Sequence, residues 1–318
     1  KTFKNEELIM TKGPAKKIED ITKGFAKNNY ICSKQISSAV YLANELEKPI
    51  LIEGPPGVGK TELANTAALY YKKPLLRLQC YEGLDETKAL YEWRYGKQLL
   101  YTQILKEQMQ DVLKGAKGLK DSLDRLMKFE DIFFSEDFLE SRPLLQALTS
   151  SEGSVLLIDE VDKSDEEFEA LLLEILSEFQ VSIPELGVKK AKIKPLVILT
   201  SNNSREIGDA LKRRCLHLYI PFPDAKLERE IIRARVPEIS KNLQVQLVNF
   251  VQGLRELDLK KLPSISETID WAKTLILLNV EELSEDLAKE TLNVLLKHQQ
   301  DVEVVQKEVP RLIMAADG

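Results

Sequence analysis

The chain has 318 residues, 43% of them hydrophobic and 30% charged, enough apolar material for one large domain beside a smaller one. Its net charge of −6 counts against a general nucleic-acid clamp, which needs an excess of positive charge to displace counterions from phosphates, although a local basic patch could still act. Three widely spaced cysteines (Cys32, Cys80, Cys215) without a CxxC pair argue against a disulfide framework and for a reducing cytoplasm, and two distant histidines (His217, His298) give a His-based metal site little to build from.

In chain order, residues 1–30 are Lys-rich, are broken by Gly13-Pro14 and Gly24, and read as an N-terminal arm or entry loop. The first ten residues are too polar for a signal peptide, and no later apolar run reaches membrane-spanning length. From Ser33 the apolar residues Ile36, Val40, Ala43 and Leu46 recur at helical spacing. Ile50–Ile52 is a short apolar run suited to a buried strand; a Gly- and Pro-rich turn follows, and then a helix-favouring stretch over 60–69. Strand, glycine loop and helix together open a parallel α/β sheet. Leu75–Leu78 predicts a second strand. The span 81–153 is too long for a plain loop and predicts an elaboration with a helix over 99–127. Val155–Ile158 predicts a third strand, 165–179 a helix, 181–193 a hairpin around Pro184 and Gly187, and Leu196–Leu199 and Leu216–Ile220 two more strands. Beyond Pro221-Phe222-Pro223 the chain reads as helices: one N-capped by Asp224 and stopped by Pro237, one announced by the capping-box spacing of Ser264 and Glu267, and a last one over 284–298.

Four segments carry chemistry. Gly54-Pro55-Pro56-Gly57-Val58-Gly59-Lys60-Thr61 fits G-x-x-x-x-G-K-[ST]. Glycines let the backbone fold tightly enough for its N–H groups to converge on phosphates, and the following helix, with Glu62 in its first turn, presents its N-terminus to the same anion. Lys60 is expected to reach the β- and γ-phosphates and the Thr61 hydroxyl to ligate Mg²⁺. Next, Val155–Ile158 delivers Asp159 and Glu160 to a strand's C-terminal end, where Asp159 can hold Mg²⁺ and Glu160 can polarise water. Thr200-Ser201-Asn202-Asn203 follows the fourth strand, and Asn202 would orient water if that strand neighbours the P-loop strand; an Asn-rich turn is the bland alternative. Finally, Lys212-Arg213-Arg214 offers arginines that could serve a neighbouring subunit's phosphates, or form no more than a solvated basic turn.

These residues carry a family resemblance. The chain resembles the MoxR family of AAA+ ATPases, most of all its branch associated with carbon monoxide dehydrogenase maturation, in residues 51–64 (LIEGPPGVGKTELA), 76–93 (LRLQCYEGLDETKALYEW), 155–162 (VLLIDEVD), 197–203 and 262–271 (LPSISETIDW). The resemblance implies an AAA+ α/β core with a five-stranded parallel sheet over 31–222, carrying a helical insert at about 84–150, and an all-α lid over 223–318. It makes Gly57, Gly59, Lys60 and Thr61 the Walker A residues, Asp159 and Glu160 Walker B, Asn202 sensor 1, and Arg214 the arginine finger, with Arg213 as second choice. It further implies ATP, ADP and Mg²⁺ as ligands, a homohexameric ring, an adaptor with a von Willebrand factor A domain and a metalloenzyme client. One departure stands out: the position where many relatives carry a sensor-2 arginine is here Glu267. The competing reading is a nucleic-acid motor, motivated by Lys189, Lys190, Lys192 and Lys194 in or beside the predicted hairpin. Trp93, Tyr91, Tyr95 and Tyr101 are expected to pack within the elaboration.

Overall fold

The computed structural model describes residues 13–103, 118, 135–184 and 186–316. The apolar runs form one five-stranded parallel sheet from β1 (Ile50–Glu53), β2 (Leu75–Gln79), β5 (Val155–Asp159), β8 (Leu196–Ser201) and β9 (Leu216–Tyr219), in the order β2-β5-β8-β1-β9. Every residue of β5 and β8 is buried, as expected of central strands covered on both faces. β2 and β9, at the edges, each bury a single residue. Two antiparallel pairs complete the strands: β3 (Tyr91–Trp93) with β4 (Leu139–Ser141), and the hairpin β6 (Gln180–Ile183) with β7 (Gly187–Lys190).

The described residues fall into two compact units, one drawn from Lys1–Leu46, Ile52–Lys72 and His217–Gly318, the other from Glu47–Leu51 and Lys73–Leu216. The second unit packs the helices Pro143–Thr149 and Glu166–Glu178 around Leu145, Leu156, Ile158, Phe168 and Leu172. In the first unit, the helices Ala225–Arg235, Lys241–Arg255, Ile265–Leu277, Glu285–Leu295 and Gln299–Ala316 share a core around Phe250, Trp271 and Val309. Trp271 satisfies its indole N–H on the Thr291 hydroxyl at 2.8 Å. Inside this core lies a bidentate ion pair, Arg255 Nη1 and Nη2 to Glu228 Oε2 and Oε1 at 2.7 and 2.8 Å, with Gln252 and Thr268 also donating to the carboxylate. Glu228 is fully buried, so these donors replace the water it has lost.

Helix starts follow the polar residues that cap them. Asp224, Ser240 and Ser284 each accept from the backbone N–H three residues on, and Ser264 with Glu267 closes a reciprocal capping box. Two expectations are corrected, and one helix is added. Residues 14–27 are not a loop but the helix Pro14–Lys27: Pro14 sits in the first turn, where a missing N–H costs nothing, and Ile21 and Phe25 are buried one turn apart. The last helix expected over 284–298 stops at Leu295, and a further helix, Gln299–Ala316, follows. The helix Lys241–Arg255 had no counterpart in the sequence reading. Of the helix expected over 99–127, residues 99–103 are helical and the rest lies outside the described residues. Among the described residues, no helix is long and apolar enough to cross a membrane.

Candidate functional site

The glycine-rich loop joins β1 to the helix Lys60–Tyr71. Gly54 and Gly57 have φ of +152° and +74°, values that side chains rarely tolerate. A Cβ at Gly54 would lie 2.2 Å from the Ile220 carbonyl oxygen, and one at Gly57 would lie 2.2 Å from Ser264 Oγ. Both glycines are therefore required by contact as well as by backbone angle. Lys60 is buried, and its Nζ donates to the carbonyls of Gly54 at 2.7 Å and Pro55 at 2.8 Å. The loop thus wraps around its own ammonium, while Thr61 and Glu62 open the helix that follows.

Beside the loop is a cavity of about 700 Å³, its open mouth included. Its walls are mostly apolar, with Ile31, Val58, Ile220, Leu227, Ile231 and Ile265 among them, and a charged corner is made by Glu62 and Arg235. Apolar walls with a few polar groups at one corner suit the face of a nucleobase. Tyr30 lines the same cavity and donates its phenol to the Gly59 carbonyl at 3.4 Å; burial pushes its ionisation far above the usual range. Ser266, at the start of Ile265–Leu277, reaches the Gly57 carbonyl at 3.5 Å. Glu267 does not face the phosphate loop as a free charge. It accepts from the Ser264 amide at 2.9 Å and from the Ser264 hydroxyl, and Lys261 lies 3.6 Å away. Burial alone would raise its carboxyl, but the Ser264 hydrogen bonds and Lys261 outweigh burial and hold it below its ordinary value.

In the other unit the acidic strand end is a connected network. Thr200 Oγ1 donates to Asp159 Oδ1 at 2.6 Å and accepts from the Glu160 amide at 2.9 Å. One hydroxyl therefore fixes both acidic residues, and it holds Glu160 in a left-handed conformation (φ +55°) that costs a non-glycine residue about 1–3 kcal/mol. Glu160 Oε1 accepts from Asn202 Nδ2 at 3.1 Å and Oε2 from Gln79 Nε2 at 3.1 Å. Arg77 Nη2 binds Asp159 Oδ2 at 2.6 Å and Gln79 Oε1 at 2.8 Å. Asp162 pins the turn after β8 by accepting from the Asn202 and Ser204 amides at 3.2 and 2.9 Å. Burial would raise the Asp162 carboxyl, but the bonds from Ser204 and Asn202 prevail and lower it. The structure thus brings Asp159, Glu160 and Asn202 together. Arg213 and Arg214 end the short helix Asp209–Arg214, both exposed and without a partner among the described residues.

Sequence reasoning did not single out Arg77, Gln79, Thr200, Asp162 or Arg235. A signal for the first two was present: Arg77 and Gln79 alternate with leucines in LRLQ, which places them on one face of an edge strand. Trp93 is buried and meets Tyr91 edge-on, and Tyr101 meets Phe138, but Tyr95 is 65% exposed and does not pack inside as expected. Of the hairpin lysines, Lys189 pairs with Glu136 and Lys194 with Glu47 at 2.7 Å, while Lys190 and Lys192 are exposed.

A parallel sheet whose first strand runs through a Lys-centred glycine loop into a helix defines a P-loop nucleotide-binding protein. The chain belongs to the AAA family: the family model described as AAA domain (dynein-related subfamily) matches residues 49–215, just over half of the chain. It is similar to the gas vesicle ATPase GvpN of Haloferax mediterranei, at 26% identity over 224 residues that cover 67% of this chain and 58% of that protein. The chain thus spans well under two thirds of that relative's length. An uncharacterized protein of Staphylococcus haemolyticus is 24% identical over 258 residues, covering 79% of this chain and 84% of that one. Among solved structures, the Thermotoga maritima RuvB Holliday junction branch migration motor aligns with a TM-score of 0.45 at 17% identity, over 82% of this chain and 67% of that one.

Proposed function

We propose that this chain is a Mg²⁺-dependent ATPase that works as a homohexameric ring and remodels a protein client. The observation that carries the reading is the loop wrapped around the Lys60 ammonium, beside a cavity with mostly apolar walls. Gly57 to Glu62 supply the amides and the helix N-terminus for the phosphates, and the cavity takes the adenine. Among the described residues, no cluster of three His, Cys, Asp or Glu side chains could hold a metal by itself. Mg²⁺ needs only one or two protein oxygens and fills its remaining positions with phosphate and water, and that is the role proposed for Thr61 and Asp159. Bound Mg²⁺ would neutralise charge on the phosphates.

The remaining work falls to the chain's own groups. Lys60 donates to the terminal phosphates. Glu160 accepts the proton of the attacking water, with Asn202 and Gln79 fixing its two oxygens. Arg214, or Arg213 beside it, completes the site of a neighbouring copy; their exposure without an internal partner supports that role. The resemblance to the carbon monoxide dehydrogenase maturation branch of the MoxR family supports an adaptor with a von Willebrand factor A domain and a metalloenzyme client. The pairing of Lys189 and Lys194 with glutamates weakens the nucleic-acid alternative.

The test compares Lys60→Ala and Glu160→Gln with the parent. Lys60→Ala is expected to lose nucleotide binding. Glu160→Gln is expected to keep it and to lose turnover by roughly 10²–10⁴-fold. With ATP, the Glu160→Gln protein should then retain adaptor and client for identification. Parental turnover in Lys60→Ala, or full activity from a single sedimenting copy, would overturn the reading. Turnover stimulated by DNA and not by protein would replace the client assignment with the nucleic-acid motor.

A further inference from the structure

Arg235 ends the helix Ala225–Arg235 and lines the cavity beside the glycine loop. Its Nη1 donates to Glu62 Oε1 at 3.0 Å. The other oxygen of Glu62 accepts from Asn65 Nδ2 at 3.1 Å, so the carboxylate is held at both ends. Glu62 is in the first turn of the P-loop helix, next to Thr61. A bare carboxylate there would repel a bound phosphate. Paired with Arg235, it becomes an anchor for a cation instead.

A guanidinium presents five N–H donors in one rigid plane, and Glu62 engages only one arm. Arg235 has no second partner among the described residues, and its side chain is 38% exposed at the cavity. The nearby cations are otherwise engaged: Lys60 bonds the loop carbonyls, and Lys261 lies against Glu267.

We propose that Arg235 is a further nucleotide ligand: Glu62 and Asn65 orient its guanidinium so that its remaining N–H groups donate to a phosphate oxygen of the nucleotide in this cavity. The inference rests on the proposed nucleotide site. It adds a contact from the C-terminal helices, whose own helix start at Ser264 carries a capped carboxylate rather than a cation. Bound nucleotide would then join the helix Ala225–Arg235 to the helix Lys60–Tyr71 through phosphate as well as through Glu62.

The experiment is calorimetric titration of the full chain with ADP and with adenosine, in EDTA so that no metal contributes. Arg235→Ala is expected to weaken ADP binding about tenfold and adenosine binding less than about twofold, since charge-assisted bonds to phosphate are the strong ones. Arg235→Lys should recover part of the loss, because it restores the charge without the fork. Glu62→Gln should weaken ADP binding by a smaller factor, through loss of orientation. If Arg235→Ala unfolds, Arg235→Gln takes its place in the same titrations. ADP binding at the parental level in a folded variant overturns the proposal, and so does an equal loss for adenosine and ADP, which would put the guanidinium on the sugar or base. Failure of the parent to bind ADP, or unimpaired binding by Lys60→Ala, would instead strike the underlying nucleotide reading.

Discussion

Replacing Thr200 by Val is the sharpest probe of the acidic strand end. The two side chains have nearly the same shape, and Val suits a buried strand, so the change removes a hydroxyl and little else. That hydroxyl is 1% exposed at the residue level and makes two bonds, to the Asp159 carboxylate at 2.6 Å and from the Glu160 amide at 2.9 Å. A hydrogen bond to a charged group is worth about 1.5–3 kcal/mol, and a buried amide left without an acceptor costs about 1–3 kcal/mol. Arg77 still holds the other oxygen of Asp159, which offsets part of the first term. The expected net loss is about 2–4 kcal/mol, a fall in Tm of roughly 5–15 °C for a domain of this size. Turnover should fall further than stability requires, because the left-handed backbone at Glu160 loses the acceptor that holds it. Urea unfolding and steady-state ATPase measurements are the assays, with Thr200→Ser as the rescue. A Val variant within about 0.5 kcal/mol of the parent and equally active, with Ser no better, would refute the assignment of one hydroxyl to both residues.

Three further outcomes follow from the helical core and the loop. Arg255→Ala strands the fully buried Glu228 carboxylate and should cost about 3–5 kcal/mol in urea unfolding; a loss under about 1 kcal/mol would mean that the pair is not buried as described. Gly57→Ala imposes a side chain on a φ of +74° with its Cβ 2.2 Å from Ser264 Oγ, so it should weaken ADP binding and cost about 1–3 kcal/mol in thermal unfolding, whereas parental behaviour in both would show that the loop has room. Glu267 has its carboxyl lowered from an ordinary value of 4.5, so its contribution is complete above about pH 4.5 and is lost as pH falls through the lowered value; the stability gap between parent and Glu267→Gln should be widest near neutrality and narrow with acid, and a gap that widens with acid would reverse the sign.

The parts of the fold that could be read in the sequence are those written in local patterns. The loop from Gly54 to Thr61 and the run VLLIDE need only neighbouring residues to be recognised, and the structure places the loop directly after β1 and the run along β5, with Glu160 just past its end. The fourth strand also neighbours the P-loop strand, which was the condition set for Asn202. Thr200, Gln79 and Arg77 escaped because their role depends on partners 40 and more residues away in sequence, brought close only by strand order. Arg235 escaped for the same reason, 173 residues from Glu62. The helix Pro14–Lys27 runs through Gly24, a residue that in sequence alone reads as a breaker. In the folded chain the Tyr70 ring lies against the helix at this position.

That notch has a practical bearing on where the polypeptide can be cut. A Cβ at Gly24 would come within 2.4 Å of two Tyr70 ring carbons, and Phe25 meets both Tyr70 and Tyr30 edge-on. A shortened version that began at residue 31, the boundary that the sequence suggests, would strip an aromatic seam from the far end of the P-loop helix and remove Tyr30 from the cavity beside the glycine loop. What looks like a dispensable leader is a wedge under the phosphate-binding element, and trimming it would first show as weakened nucleotide retention.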